Sequence, residues 1–369
     1  MKINSTSPDR KLRYAAILFA IMLMFSGCVS SKLLKENEYL FAGSKVKVHA
    51  GKEVKGKGKL EGLLKDETYP LPNRRILGIP VKLWIYSVFK SKKNNSFISN
   101  TYGERPVLLT DVPIDEVSLS LQTVLKANGY LDSEVSSEVV KNRIGKRQRK
   151  VLYHCYVEAP YILRNVNVHI GDPSITHLLD STRDESLVRP NDQYNLAKLK
   201  SERERIDALL KSHGYYYFSP DFLIYRADSS RANRSIDLSL GFKQGIPLPN
   251  IRPWHVNDVS FFDTSVKDSL TLADTVNFKG VTFLTGKMVK PKLFRHFILF
   301  GKDDLLTTDK YNITNKNLSS LGVFRYTNMD AVPDSGLENK VNLTIDVTPN
   351  VLHNFSASAD LVAKSNDFA

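Results

Sequence analysis

Apolar residues recur along the chain in two spacings, and the two alternate. Ile114, Val117, Leu121, Val124 and Leu125 fall on one helical stripe, with Asp111 and Pro113 ahead of it as a cap and a first-turn proline. Leu196, Leu199, Ile206, Leu209 and Leu210 make a second stripe behind Asn195, with Glu202, Arg203, Glu204 and Arg205 expected mostly outward. Tyr311, Leu318 and Leu321 make a third, weaker one. Around these helices the period becomes two. Val166, Val168 and Ile170 alternate with polar residues before the second helix, and Ile236, Leu238, Leu240 and Phe242 do so after it, as half-buried strands do.

All three helical stripes end in the same way. LQTVLKANGYLDSEV stops at Gly129-Tyr130, LLKSHGYYYFSPDF at Gly214-Tyr215 and NKNLSSLGVFRYTNM at Gly322-Val323-Phe324. A glycine after the last turn takes the left-handed conformation without a steric penalty, so the chain can reverse and leave as a strand. In the second copy Tyr215 to Phe218 are expected to launch that strand, with Tyr215 and Tyr217 on one face and Tyr216 on the other.

The repeating unit is strand, helix, helix, strand, strand. Ile175 to Asp180 supplies the short first helix of the second unit, and Leu293 to Ile298 behind Pro291 that of the third. Val46 and Val48 open the first unit, and Val151 to Val157 close it. Val259 and Phe261 open the third, and Val341, Leu343, Ile345 and Val347 close it. The fold class is therefore α+β, built from tandem βααββ modules that each hold a small three-stranded sheet and two helices. The expected division is 1–27, 28–158 with an insertion at 66–107, 159–247, 248–348 and 349–369. Pro160 and the run GIPLPNIRP lie at the joins between modules. In the insertion, Trp84, Ile85, Tyr86 and Phe89 are expected to pack on their own module.

Composition adds an address. Lys2, Arg10, Lys11 and Arg13 precede an apolar run from Tyr14 to Phe25, which ends in Ser26-Gly27-Cys28. That is a secretory signal, and its apolar run is too short to span a bilayer as a helix. The chain carries a net charge of +13. Part of it is concentrated at residues 44 to 65, where seven lysines face Glu53 and Glu61, which reads as a solvated basic loop. Secretion removes the chain from most nucleic acid, so no nucleic-acid partner is expected. Cys155, in the alternating VLYHCYVEA, reads as a buried apolar residue.

Catalytic patterns are not found. The eight histidines are scattered without ligand spacing, and His154 and His169 sit on polar strand faces as surface residues. No phosphate loop, nucleophile elbow or cysteine–histidine arrangement emerges. The expectation is a non-enzyme with no metal and no cofactor.

The order of these features resembles a known family. A signal ending in Cys28 with LLKENEYLF behind it, the PNRRILGIPVKLWIY insertion, and the NGY and HGYYYF joins are similar to the POTRA modules of the BamA/TamA superfamily of outer-membrane assembly proteins. The likeness is nearest to the TamA-like lipoproteins (TamL) of Bacteroidetes. The resemblance implies a chain anchored in the outer membrane through acylated Cys28, with its modules in the periplasm. Its expected partners are the lipid bilayer, unfolded outer-membrane protein clients and an inner-membrane-anchored TamB-like protein. It also implies that clients add as strands to the segments after the second and third joins, here Phe222, Leu223, Ile224 and Tyr225, and Phe324 and Tyr326. Gly129, Gly214 and Gly322 are then structural joins. Phe355, Ala357, Ala359, Leu361 and Ala363 share one face, like the first strand of a transmembrane barrel, and the chain is expected to be truncated beyond it. The alternative is a structural or adhesive envelope lipoprotein without assembly activity.

Overall fold

Residues 34–76, 80–90, 96–143, 145–266, 274–286 and 289–350 are described in a computed structural model of the protein. The expected signal, Cys28 and the expected barrel strand at 355–363 lie outside the described residues. The chain is α+β and divides into two compact units, Met1–Asn165 with Arg189–Ala197 and Asp228–Asp237, and Val166–Val188 with Lys198–Ala227 and Leu238–Ala369.

The first unit runs β1 (Leu40–Ala50), α1 (Lys57–Asp66), α2 (Val81–Lys90), α3 (Ser96–Thr101), α4 (Ile114–Ala127), β2 (Glu134–Lys141) and β3 (Gln148–Val157). Its sheet has the order β1-β3-β2, with β1 parallel and β2 antiparallel to β3. Val46 and Val48 lie beside Tyr153 and Cys155, and the four face Leu60, Leu64, Val117, Leu121 and Leu125 in one core. Each fully buried valine or leucine of this core contributes roughly 1.5–3 kcal/mol.

The basic stretch at 44 to 65 is not a loop. Residues up to Ala50 belong to β1, and Lys57 to Asp66 form α1, which starts at Gly56 in the left-handed conformation with φ 75°. Leu60 and Leu64 turn inward and the lysines outward, so the charge is the solvated face of a core helix. Gly58 and Gly62 weaken the helical signal there. Asp111 does not cap α4 either; it closes a 3-10 turn at Leu109–Asp111 by accepting from the Leu108 N–H at 3.0 Å, and Pro113 holds the cap position.

Within the insertion, α2 buries Leu83 and Tyr86, while Trp84 stays 36% exposed, contrary to its expected packing. Leu83 joins Leu34 and Leu40, tying the stretch from Leu34 to Leu40 to the insertion. Asn73 clamps the insertion's far end, donating to the Arg105 carbonyl at 2.7 Å and accepting from the Val107 N–H at 3.0 Å.

Further along, β4 (Ile162–His169), α5 (Pro173–Ser181), α6 (Leu196–Ser212), β5 (Leu223–Ser230) and β6 (Ser235–Phe242) follow, and the sheet order is β4-β6-β5. Asp172 caps α5 through its carboxylate, which accepts from the Ser174 and Ile175 N–H groups. Ile175, Leu179, Ile206, Leu210, Tyr215, Phe218, Leu223 and Leu240 share a core. Two expectations fail here. Val168 is exposed, because β4 buries Leu163 instead and the chain turns inward again only at Ile170. Glu202 is buried, accepting from both Arg205 Nε (3.0 Å) and Nη2 (2.8 Å), from Ser186 Oγ (2.9 Å) and from the Leu187 N–H (2.8 Å).

The rest of the second unit is β7 (His255–Asp263), β8 (Asp274–Phe278), β9 (Val281–Thr285), α7 (Pro291–Phe294), α8 (Thr308–Ser320), β10 (Phe324–Pro333) and β11 (Lys340–Pro349). Its sheet has five strands, in the order β10-β11-β7-β9-β8, instead of three. The added hairpin turns at Lys279 and Gly280, both with positive φ, as a tight two-residue turn requires. The expected first helix at Leu293 to Ile298 is one α-turn and one 3-10 turn, with Phe294 and Ile298 buried and Leu293 exposed. Phe261, Phe283, Phe294 and Phe324 stack together at the centre of this core.

Candidate strand-binding edges

The helix ends set where the strands begin. At the first, Gly129 has φ 90°, its N–H donates to the Lys126 carbonyl at 3.0 Å, and the Tyr130 N–H reaches back to the Leu125 carbonyl at 3.0 Å. At the second, Gly214 has φ 88°, with the equivalent bonds Gly214 to Lys211 at 3.3 Å and Tyr215 to Leu210 at 3.1 Å. Both are Schellman closures, and the aromatic that follows is buried. Gly322 also has positive φ, but Val323 after it is exposed and the buried aromatic is Phe324.

Each closure is also a docking point. The Gly129 carbonyl accepts the Tyr161 N–H and the Gly214 carbonyl accepts the Trp254 N–H, both at 2.8 Å. A Cβ on Gly129 would lie 2.6 Å from the Tyr194 carbonyl oxygen, and one on Gly214 would lie 2.7 Å from Leu305 Cδ2. At Gly322 nothing described lies within 4 Å.

The three tyrosines do not enter a strand. Residues 215 to 219 form a turn, and a 3-10 turn at Pro220–Phe222 precedes β5. Tyr215 packs in the core beneath β5, whereas Tyr216 and Tyr217 go together onto the core of the five-stranded sheet. Turn geometry, not alternation, parts them.

β2, β5 and β10, the strands that follow the three glycines, each lie at an edge of their sheet. Phe222 is outside β5 and packs edge-on against Phe218; Leu223 is fully buried, and Ile224 and Tyr225 are half-buried. Burial pushes the Tyr225 phenol up. Phe324 is buried in the aromatic core, and Tyr326 is 60% exposed. The named side chains are thus mostly core, and what an edge can offer a partner is backbone.

Register identifies which backbone groups face out. Asn142 N–H donates to the Gln148 carbonyl at 3.1 Å, so the pairs two residues apart along β2 and β3, including Glu138 with Leu152, are the hydrogen-bonded ones. Val135, Ser137, Val139 and Lys141 therefore turn their N–H and C=O groups outward, and none is proline. By the same logic the Asp334 N–H to Lys340 carbonyl bond, 2.8 Å, turns Thr327, Met329, Ala331 and Pro333 outward on β10.

The β2 edge was missing from the sequence expectation, although Val135 and Val139 after Asn128-Gly129-Tyr130 carried the same signal as the other two joins. A polar chain on the outer sheet face was also missed. His49 Nε2 and His154 Nδ1 are 2.8 Å apart, and His154 Nε2 is 3.2 Å from Glu138 Oε1. Parallel pairing of β1 with β3 brings these histidines together, which spacing along the chain cannot reveal. Among the described residues, no group of three or more His, Cys, Asp or Glu could hold a metal ion.

The site is thus a set of sheet edges in an α+β repeat protein. The chain is similar to the solved POTRA domains 3–5 of BamA from Haemophilus influenzae, at 14% identity over 86% of this chain and 99% of that one, with a TM-score of 0.38. It is also similar to POTRA domains 1–3 of the periplasmic domain of Omp85 from Anabaena, at 14% identity over 85% and 97%, TM-score 0.29. A further similar structure is the N-terminal domain of Omp85 from Thermosynechococcus elongatus, at 13% identity over 86% and 99%, TM-score 0.26. No protein-family model and no curated protein matches the chain.

Proposed function

We propose that the protein is a periplasmic arm of POTRA-like modules, of the TamA-like lipoprotein kind, that receives unfolded outer-membrane protein segments by strand addition. The observation that carries this reading is that each strand after a helix-end glycine lies at a sheet edge, and that on β2 the N–H and C=O groups of Val135, Ser137, Val139 and Lys141 face away from β3, where an incoming strand can pair. Backbone pairing is indifferent to client side chains, which suits a helper of many different barrels. The secretory signal ending in Cys28 supplies the address: acylation there anchors the arm in the outer membrane, each buried methylene contributing about 0.8 kcal/mol. A periplasm-spanning, inner-membrane-anchored TamB-like partner would add to the same kind of edge. The arm acts by binding and carries out no catalysis.

Proline tests this directly, because it removes an outward N–H while leaving the bonds to β3 in place. Ser137→Pro and Val139→Pro should each reduce crosslinking of the full chain to an unfolded outer-membrane barrel polypeptide, with the circular dichroism spectrum unchanged. Undiminished crosslinking in both variants would remove β2 from the site.

A further inference from the structure

The outer edge of β10 differs from that of β2. Of its outward positions, Pro333 has no N–H to offer. The Ala331 carbonyl accepts the Tyr217 hydroxyl at 3.0 Å, and the Met329 carbonyl accepts the Tyr311 hydroxyl. These carbonyls are two residues apart and so lie on the same side of the strand, where an added strand would present its own N–H donors. The two hydroxyls hold the places of an absent neighbour.

Both hydroxyls are held firmly. Tyr217 meets Trp254 edge-on with centroids 5.0 Å apart and Tyr216 edge-on at 5.2 Å. Tyr216 in turn lies 5.7 Å from Tyr311, ring to ring. Trp254 is fixed through its indole N–H, which donates to the Pro249 carbonyl at 2.8 Å. Gly214 begins this arrangement, since its left-handed turn aims Tyr216 and Tyr217 at the five-stranded sheet.

We infer that Tyr217, Tyr311 and Pro333 seal the outer edge of β10 from Met329 to Pro333, so that an extended polypeptide strand adds to the open β2 edge and not to β10. This rests on the strand-addition reading above and sharpens it: of two edges with equivalent positions after a helix-end glycine, one is open and one is closed. Blocking edges in this way is how sheets avoid unwanted pairing. Displacing both hydroxyl bonds is a net cost, so strand capture at β10 should be roughly tenfold weaker, about 1.4 kcal/mol.

The test compares two positions on the full chain. A photo-crosslinking side chain is placed at Val139 on β2 or at Val332 on β10, both exposed, and the probe is a ten-residue peptide of alternating valine and threonine. In the otherwise native chain, capture at Val139 should exceed capture at Val332 about tenfold. The Y217F/Y311F/P333V variant, which keeps both aromatic rings, should raise capture at Val332 about tenfold and leave Val139 unchanged. Equal capture at the two positions, or no gain in the variant, overturns the seal while leaving strand addition standing. Absence of capture at Val139 overturns strand addition instead; the seal is then decided by the variant alone, supported by a gain at Val332 and overturned without one.

Discussion

The backbone N–H of Trp254 donates to the carbonyl of Gly214 at 2.8 Å, and the N–H of Tyr161 repeats this bond to Gly129 at the same distance. One glycine thus ends a helix, turns the chain and receives the residue that opens the next stretch. Replacing either glycine by alanine should add about 1–2 kcal/mol of left-handed strain, and at Gly129 the new Cβ also meets the Tyr194 carbonyl oxygen at 2.6 Å, whereas at Gly214 it meets the end of the Leu305 side chain, which can move aside. Urea unfolding should show Gly129→Ala destabilised by about 2–4 kcal/mol, and Gly322→Ala, whose Cβ would meet open space, by only about 1 kcal/mol.

Leu64 is fully buried on α1, in the lysine-rich stretch. Leu64→Ala should lower the unfolding free energy by about 2–5 kcal/mol, as core leucines do. Lys59→Ala, on the exposed face of the same helix, should change it by less than about 0.5 kcal/mol. Equal small effects would return this segment to a solvated loop.

Glu202 holds the chain at Ser186 and Leu187 against α6 while pairing with Arg205. Truncation to alanine leaves a largely buried guanidinium without its carboxylate, which costs about 3 kcal/mol or more. Glu202→Ala combined with Arg205→Ala should be no worse than the single change, and a double-mutant cycle measures that coupling.

Burial pushes the Cys155 thiol up to about 11 from 9.0. A folded pKa above the unfolded one means that the contribution is fully present below pH 9 and is lost as pH rises from 9 to about 11. With Cys28 replaced by serine, a thiol reagent at pH 8 should react only in denaturant. Stability should fall between pH 9 and 11 by more in this chain than in one that also carries Cys155→Ala.

Much of this fold is legible in the chain. The 3.6-residue stripes at Val117, Leu121 and Leu125 and at Leu199, Ile206 and Leu210 lie on helices, and the glycines after them have positive φ, because local periodicity and a missing Cβ are properties of short segments. What was hidden depends on long-range pairing. Leu60, Leu63 and Leu64 are the three leucines of α1 among lysines and glycines, and only the sheet the helix covers shows that Leu60 and Leu64 are core while Leu63 is exposed. Glu202 looked outward because its partners Ser186 and Leu187 come from a preceding loop. The β8–β9 hairpin was signalled by Lys279-Gly280 between alternating runs, and its strands align only in the finished sheet. The site was half legible: the resemblance pointed to the strands after Gly214 and Gly322 and left out β2 after Gly129, and which backbone groups face out depends on register.

The claim that this chain is a strand-accepting arm rests most directly on the β2 amides. Hydrogen exchange of the full chain, resolved by residue, should be followed with and without an unfolded outer-membrane barrel polypeptide. The outward amides of Ser137 and Val139 should exchange fast alone and become protected in its presence, while Ser136 and Glu138, already bonded to β3, should change little. Unchanged exchange at Ser137 and Val139 with the polypeptide bound would contradict the account.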